Sequence, residues 1–517
     1  MSENFNRLQS ITKRAVRGKG IVVAQNRVAA DIGARVLAEG GNAIDAAVAT
    51  GLAIGCVEPW MSGIGGVGFL THWNARDKRA YVVDYGPISA AKLDVRTYPL
   101  TGHGASDLFG WAPVVDDRNV QGYHSIAVPG HVDGMATALE RFGTMRWRDV
   151  IQPAIALADR GLYVDWYVTL LVATQARELS GYATSRETWL PHGFPPVQDW
   201  AGTPLRIKLG NLGRTLRHLA EAGARDFYEG ALATDIVADL QAGGSAISRD
   251  DLARYHARVV DPLSFEHNGA LVNVAGGLTA GPTLKRALGL MADRVRGTGK
   301  PDAAYFVAVA EALNTAYRER LETMGEGVTP SCTTHFCVAD SAGNMVAQTQ
   351  TLLSLFGSRV MLPRTGITMN NGIMWFDPEP DKPNSIGAGK RPLTNICPVV
   401  VARNGQAWFC VGASGGRRIV PAVTQIASML IDRGMDVESI FHLPRIDVSG
   451  VGPIRLNWDL PKPVADAIAA KMEVTDVPNV VYPLNFANPS CIVRDPQSGE
   501  LVGMNEVMSP WAGGAAA

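Results

Sequence analysis

What this sequence lacks narrows the field first. Only six of its 517 residues are cysteine (Cys56, Cys332, Cys337, Cys397, Cys410, Cys491), and none forms a CxxC pair or stands at metal-ligand spacing from a histidine. A disulfide scaffold and a structural zinc site are therefore not indicated, and the thiols are expected to be reduced core residues. Positive charge is not in excess: 48 Lys and Arg against 49 Asp and Glu leave a formal charge of -1, so nothing points to nucleic acid or to an anionic membrane surface. Residues 1–19 are polar and basic, without the apolar core of a secretion signal, and a cytoplasmic location is expected. No apolar run reaches membrane-spanning length, since the Ala-rich stretch 43–57 is stopped by Glu58-Pro59. Internal repeats, low-complexity tracts and blocks of like charge are also missing.

What is present reads as strands and helices of one large unit. A short strand at 21–24 precedes a helix at 29–39, the stop Gly40-Gly41, and a second helix at 43–57 that Asn42 caps and whose apolar residues run nearly all round, hence buried. A formal GxGxxG follows at Gly63, Gly65 and Gly68. A dinucleotide site needs a strand before those glycines and a helix after them; here the order is reversed, so nucleotide binding is set aside. Strands at 69–73 and 79–85, helices at 131–142, 150–160, 212–222 and 231–241, a Ser248-capped turn of helix and a long helix at 303–324 complete the first two thirds. With a strand-rich remainder, this order suits a single α+β unit, a four-layer αββα sandwich, better than separate domains.

Two stretches carry chemistry. Residues 333–352 pattern as a β-hairpin: both arms are rich in Thr, Val and aromatic residues around the turn Asp340-Ser341-Ala342-Gly343-Asn344. With Ala339 opposite Met345, counting back sets His335 opposite Thr349 and Thr333 opposite Thr351. Further on, Gly412-Ala413-Ser414-Gly415-Gly416 joins a strand to the helix 418–433, formally the GxSxG of a serine-hydrolase nucleophile elbow. Its triad would need His442, with Asp432 or Asp436 as the acid, in a cramped spacing.

The hairpin sequence Thr-Thr-His-aromatic-x-Val-x-Asp-x-x-Gly-Asn, followed by Thr-x-Thr-Leu, resembles the processing site of the γ-glutamyltranspeptidase family of N-terminal-nucleophile hydrolases. The likeness extends to Gly41 to Ala47, Glu58-Pro59, Ser62 to Gly66, Asn370-Asn371 and Arg391-Pro392-Leu393, from about Gly20 to Gly503. It implies cleavage between Cys332 and Thr333, leaving a large piece 1–332 and a small piece 333–517 that stay associated as one αββα domain, and that could pair further into a dimer of such heterodimers. It implies Thr333 as nucleophile and, through its freed amine, as base; Thr351 as its hydrogen-bond partner; and the N–H groups of Gly415 and Gly416 as the oxyanion hole, with Ser414 demoted. A hydroxyl is a weak nucleophile at neutral pH, and an adjacent amine with a pKa near ~8 is a suitable base. No metal or organic cofactor is required.

The family pattern breaks where a glutamyl head would be held. The family's carboxylate-binding Arg is here Gly86, an Asn two past Thr351 is Leu353, the ammonium-binding Asp is Trp375, and a Ser-Ser pair is Thr394-Asn395. Leu353, Trp375 and Phe376 suggest an aromatic-walled acyl pocket or simply core; Arg417 and Lys390 could meet an acyl carboxylate or be solvated. The expected function is thus a self-processing N-terminal-threonine amidohydrolase acting on a small-molecule amide. The alternatives are a genuine γ-glutamyltransferase or glutathione hydrolase, and a serine hydrolase using Ser414.

Overall fold

A computed structural model describes residues 12–102, 111–324, 332–449 and 452–517. Two seven-stranded antiparallel sheets lie face to face. One runs from edge to edge as Gly513–Ala516, Ile21–Ala24, Cys332–Ala339, Met345–Leu353, Val67–Asn74, Arg79–Tyr85 and Arg258–Val260; the other as Val16–Gly18, Leu501–Asn505, Asn488–Arg494, Gln406–Ser414, Val399–Arg403, Ala270–Val274 and Leu263–His267. Alternation along the strands divides their side chains. Ile21, Val23, Cys337, Ala339, Met345 and Ala347 meet Val400, Cys410 and Ile492 between the sheets. Val22, Ala24, Phe336, Val338 and Val346 face the other way, into the helices Arg27–Ala38, Ala43–Val57 and His131–Phe142. On the second sheet Val399, Val401, Phe409 and Val411 pack outward against Gly281–Met291, Ala303–Met324 and Ile419–Arg433. The layers are α, β, β, α.

Both sheets mix strands from before and after the Cys332–Thr333 bond, so each half completes sheets begun by the other. Helix Ala43–Val57 shows why the sequence folds as it does locally. Asn42 accepts from the N–H groups of Ile44 and Asp45 at 2.8 and 3.0 Å, and Asp45 returns the bond to the Asn42 N–H at 2.8 Å. Every residue from Ala43 to Cys56 is then buried under the hairpin of Cys332–Ala339 and Met345–Leu353 and the helices around it. Among the described residues no helix is long and apolar enough to cross a membrane.

The glycine run 63–68 holds no phosphate-type loop. The Gly66 carbonyl accepts from the N–H groups of Gly130 and His131, both at 3.0 Å, so the run docks onto the start of helix His131–Phe142. The hairpin keeps the expected pairs Ala339 with Met345 and His335 with Thr349, but its open end departs from the simple count. Thr334 pairs with Gln350 and Cys332 with Leu353, so the second arm bulges and Thr333 faces both Thr351 and Leu352 rather than Thr351 alone. Residues 325–331, just before the expected cleavage point, lie outside the described residues.

Candidate active site

Thr333 is buried opposite that bulge, with its Oγ1 3.5 Å from Thr351 Oγ1. This is long for a hydroxyl pair, of the kind that tightens once a reacting group is in place. Thr351 Oγ1 accepts from the Leu353 N–H at 2.7 Å, which fixes it toward Thr333. Leu353 itself has φ +88°, a left-handed conformation unusual for a leucine.

The facing sheet supplies the rest. Cys337 Sγ lies 3.6 Å from the Cys410 carbonyl, and the His335 ring packs flat on Gly412, where a Cβ would stand 2.3 Å from it. Two residues further along each strand, the same alternation carries Thr333 toward Ser414 and, one peptide beyond, Gly415. Gly415 has φ +128° and Gly416 φ +63°, opening the short turn Gly416–Arg418. Only glycine tolerates the first of these, and consecutive positive-φ residues turn backbone N–H groups to one side, as an oxyanion hole requires.

His335 is not held as a charged imidazolium. Burial pushes its imidazole down to about 3, and its ring contacts are Thr349 Oγ1 at 2.8 Å and Cys337 Sγ at 3.4 Å. The serine-hydrolase triad is not assembled either. Ser414 Oγ accepts from Gln25 Nε2, which also donates to the Asn488 carbonyl at 3.2 Å. His442 is exposed, its Nδ1 2.8 Å from the Glu438 carbonyl, and Asp432 is held by His267, Ser428 and Asn268. Asp436 caps the following helix through the Ser439 N–H. Ser414→Ala is accordingly expected to leave self-cleavage intact and kcat within about threefold, because Gln25 keeps its bond to Asn488; loss of all activity in an uncut, folded Ser414→Ala protein would return the chemistry to the serine.

The positions expected to bind substrate divide into three groups. Gly86 and Thr394 line one cleft of about 340 Å³, together with Phe69, Asp84, Arg258 and Arg391. Its charges largely satisfy one another: Asp84 accepts from Arg258 Nη2, from Arg391 Nη1 at 3.2 Å and from the Gly86 N–H at 3.0 Å. The Thr394 hydroxyl donates to the Leu278 carbonyl at 3.2 Å. Leu353 and Trp375 belong to an apolar cluster with Met374, Ile396, Val67 and two residues that line the cleft, Phe69 and Val82. Within this group the Trp375 Nε1–H is buried with no hydrogen-bond partner among the described residues. So is Asn395 Nδ2, whose Oδ1 accepts from Arg320 Nη2 at 3.4 Å. Asn384 ties the two segments together, donating to the Trp375 carbonyl at 2.7 Å and accepting from the Leu393 N–H at 3.0 Å.

Three further positions, each left with alternatives by the sequence, are placed by the structure. Phe376 packs with Ile373 in the helix-side core, the core alternative, because the short turn Gly372–Trp375 puts Met374 and Trp375 on one side and Ile373 and Phe376 on the other. Arg417 is buried rather than solvated, under helix Ala303–Met324, whose Tyr317 hydroxyl donates to the Arg417 carbonyl. Lys390 is exposed and is not among the residues lining the cleft. Arg258 and Gln25, by contrast, stand at the site without any signal in the sequence, each brought there only by strand pairing.

Two packed antiparallel sheets between helical layers are the architecture of the N-terminal-nucleophile hydrolases. The fold superposes on the crystal structure of cephalosporin acylase from Bacillus halodurans with a TM-score of 0.86 at 24% identity, covering 100% of this chain and 99% of that one. The family model for γ-glutamyltranspeptidase matches residues 29–332 and 326–516. The acylase ACY 1 proenzyme of Pseudomonas sp. (strain SE83) is 33% identical over 89% of this chain and 88% of its own length, and the glutathione hydrolase proenzyme of Escherichia coli (strain K12) 29% identical over 83% and 81%. The chain belongs to the γ-glutamyltranspeptidase family, and is an enzyme of that family.

Proposed function

We propose that this chain is a proenzyme that cuts itself between Cys332 and Thr333 and then hydrolyses amides whose acyl part is not a free amino acid. In the first step Thr333 Oγ1 attacks the Cys332 carbonyl, the C–N bond breaks, and the Thr333 nitrogen leaves as a free amine while the acyl group passes to oxygen. Water then opens that ester. In turnover the amine takes the hydroxyl proton as Oγ1 attacks the substrate carbonyl, the N–H groups of Gly415 and Gly416 hold the oxyanion, and the proton passes to the leaving amine. Water, activated by the same amine, releases the acid. The interleaved strands support the two pieces remaining one particle after the cut.

The observation that carries the acyl preference is the apolar wall that Leu353 and Trp375 form behind the cleft residues Phe69 and Val82, with the buried Trp375 Nε1–H and Asn395 Nδ2 left without a partner among the described residues and no side chain at Gly86. Such a wall suits an uncharged acyl chain bearing a hydrogen-bond acceptor. A glutamyl ammonium placed there would be desolvated without a partner, which costs several kcal/mol. Processed enzyme is therefore expected to turn over a γ-glutamyl anilide at least ~10²-fold less efficiently, in kcat/KM, than its best simple acyl anilide. Trp375→Phe, which keeps the ring and removes the N–H, should lower kcat/KM for an acceptor-bearing acyl group by about 5- to 10-fold, the worth of one net hydrogen bond. A panel of acyl anilides in which the γ-glutamyl compound came first would favour the glutathione-hydrolase reading instead.

A further inference from the structure

Behind the nucleophile strand lies a carboxylate that the chemistry above does not use. Glu58 closes helix Ala43–Val57, its N–H donating to the Ile54 carbonyl at 2.7 Å. Its side chain is buried and takes a hydrogen bond from Thr334 Oγ1 at 3.2 Å. The turn that follows grips the other arm of the hairpin: the Leu352 N–H donates to the Met61 carbonyl at 2.8 Å, and Phe356 N–H to the Trp60 carbonyl at 2.8 Å. The turn Glu58 to Met61 thus holds Thr334 on one arm and Leu352 on the other, and Thr333 lies between those two anchors as the single residue facing the bulge of Thr351 and Leu352. The Met61 anchor is backbone and survives any substitution; the Thr334 anchor depends on a single side chain.

We propose that Glu58 is a positioning residue for the nucleophile, fixing through Thr334 the bulge that aims the Thr333 hydroxyl. This rests on Thr333 being the nucleophile. Misplacing a reacting atom by about 1 Å lowers a rate on the order of 10²-fold, so a loosened bulge should show in the rate constants rather than in binding. Burial pushes the Glu58 carboxyl up to about 7, so near neutral pH it is protonated much of the time and a neutral amide is a fair substitute. Glu58 also borders a cavity of about 40 Å³ shared with Gln25, Ser414, Asn488 and Glu506, where there is room for water to replace a lost contact.

The test uses the full chain, made by pulse-labelled translation so that uncut protein can be followed, with Glu58→Gln, Glu58→Leu, Thr334→Val and the Glu58→Leu/Thr334→Val double variant. Self-cleavage rates are read on a gel, and kcat and KM on the best anilide. Glu58→Leu and Thr334→Val should each slow self-cleavage and kcat by about 10- to 100-fold with KM within twofold, Glu58→Gln should stay within about threefold, and the double variant should be no slower than the worse single. The proposal is overturned by Glu58→Leu at the wild-type rate, by Glu58→Gln as slow as Glu58→Leu, or by a double variant slowed by the product of the singles. Should Glu58→Leu not fold, Thr334→Val decides: slow with Glu58→Gln near normal supports the proposal, and a wild-type rate ends it. Thr333→Ala, run alongside, separates the two ideas, since a Thr333→Ala chain that still cuts itself removes the nucleophile reading and not merely its support.

Discussion

Thr333→Ala is expected to run as a single chain of 517 residues on a denaturing gel, where wild type runs as two, and to lose activity by on the order of 10⁴-fold or more. The substitution deletes the attacking oxygen, and without cleavage no amine is freed to act as base, so nucleophile and base disappear together. Stability should hardly change. The residue is small, its Oγ1 makes only a 3.5 Å contact with Thr351, and the strand remains paired from Thr334 to Ala339. A melting temperature near that of wild type would show that the loss is chemical. Thr333→Ser keeps an oxygen and should still be cut, more slowly, because the missing methyl leaves the hydroxyl free to rotate opposite the bulge. N-terminal sequencing of the small wild-type fragment should begin Thr333-Thr334-His335. A two-band pattern in Thr333→Ala, or a fragment beginning elsewhere, would move the cleavage point and the nucleophile with it.

How far the site can be read from the sequence follows from which contacts are local. The turn 340–344, the pairs Ala339 with Met345 and His335 with Thr349, and the caps Asn42 and Ser248 are all set within a few residues, and the structure has them as the pattern implies. The bulge at Thr333 is not local. It depends on the turn after Glu58, nearly three hundred positions earlier, and on Leu353 accepting a left-handed conformation that leucine propensity argues against. The acyl side mixes both kinds of information. Leu353 and Trp375 stand where the family pattern breaks, and so could be singled out; that Trp375 packs with the cleft residues Phe69 and Val82 while Phe376 joins the helix-side core was fixed by a short turn with no periodicity to read. Arg258 reaches Asp84 only because Arg258–Val260 is the edge strand beside Arg79–Tyr85, a pairing that no spacing in the sequence announces. The strands Leu263–His267 and Ala270–Val274 likewise sit in a stretch whose mixed polar and apolar residues give a weak alternation, and pairing with Val399–Arg403 holds them.

Gly415→Ala is expected to lower kcat by about 10²- to 10³-fold, the range found when a single oxyanion donor is lost. At φ +128° and ψ 24° an alanine Cβ would stand 3.1 Å from the Cα of Ala487, a backbone atom of the neighbouring strand approach that has no side-chain freedom with which to yield. Relief must come from rotating the peptides on either side of residue 415, and those peptides carry the N–H groups assigned to the oxyanion. The damage should stay local. Ser414 remains the last residue of a strand paired with Asn488, and the Arg418 N–H that donates to the Gly415 carbonyl at 3.3 Å belongs to a turn backed by helix Ile419–Arg433. KM should therefore move by no more than a few fold, while self-cleavage, which passes through an oxyanion on the Cys332 carbonyl, should slow in parallel with turnover. Gly416→Ala makes the matched control. Its φ of +63° lies in the left-handed region, where alanine costs about 1–2 kcal/mol and no large rotation is needed, so its kcat should fall by about tenfold or less. The two kcat values measured on one acyl anilide order the effects: a Gly415→Ala enzyme as fast as wild type, or slower only in KM, would take the oxyanion away from this turn.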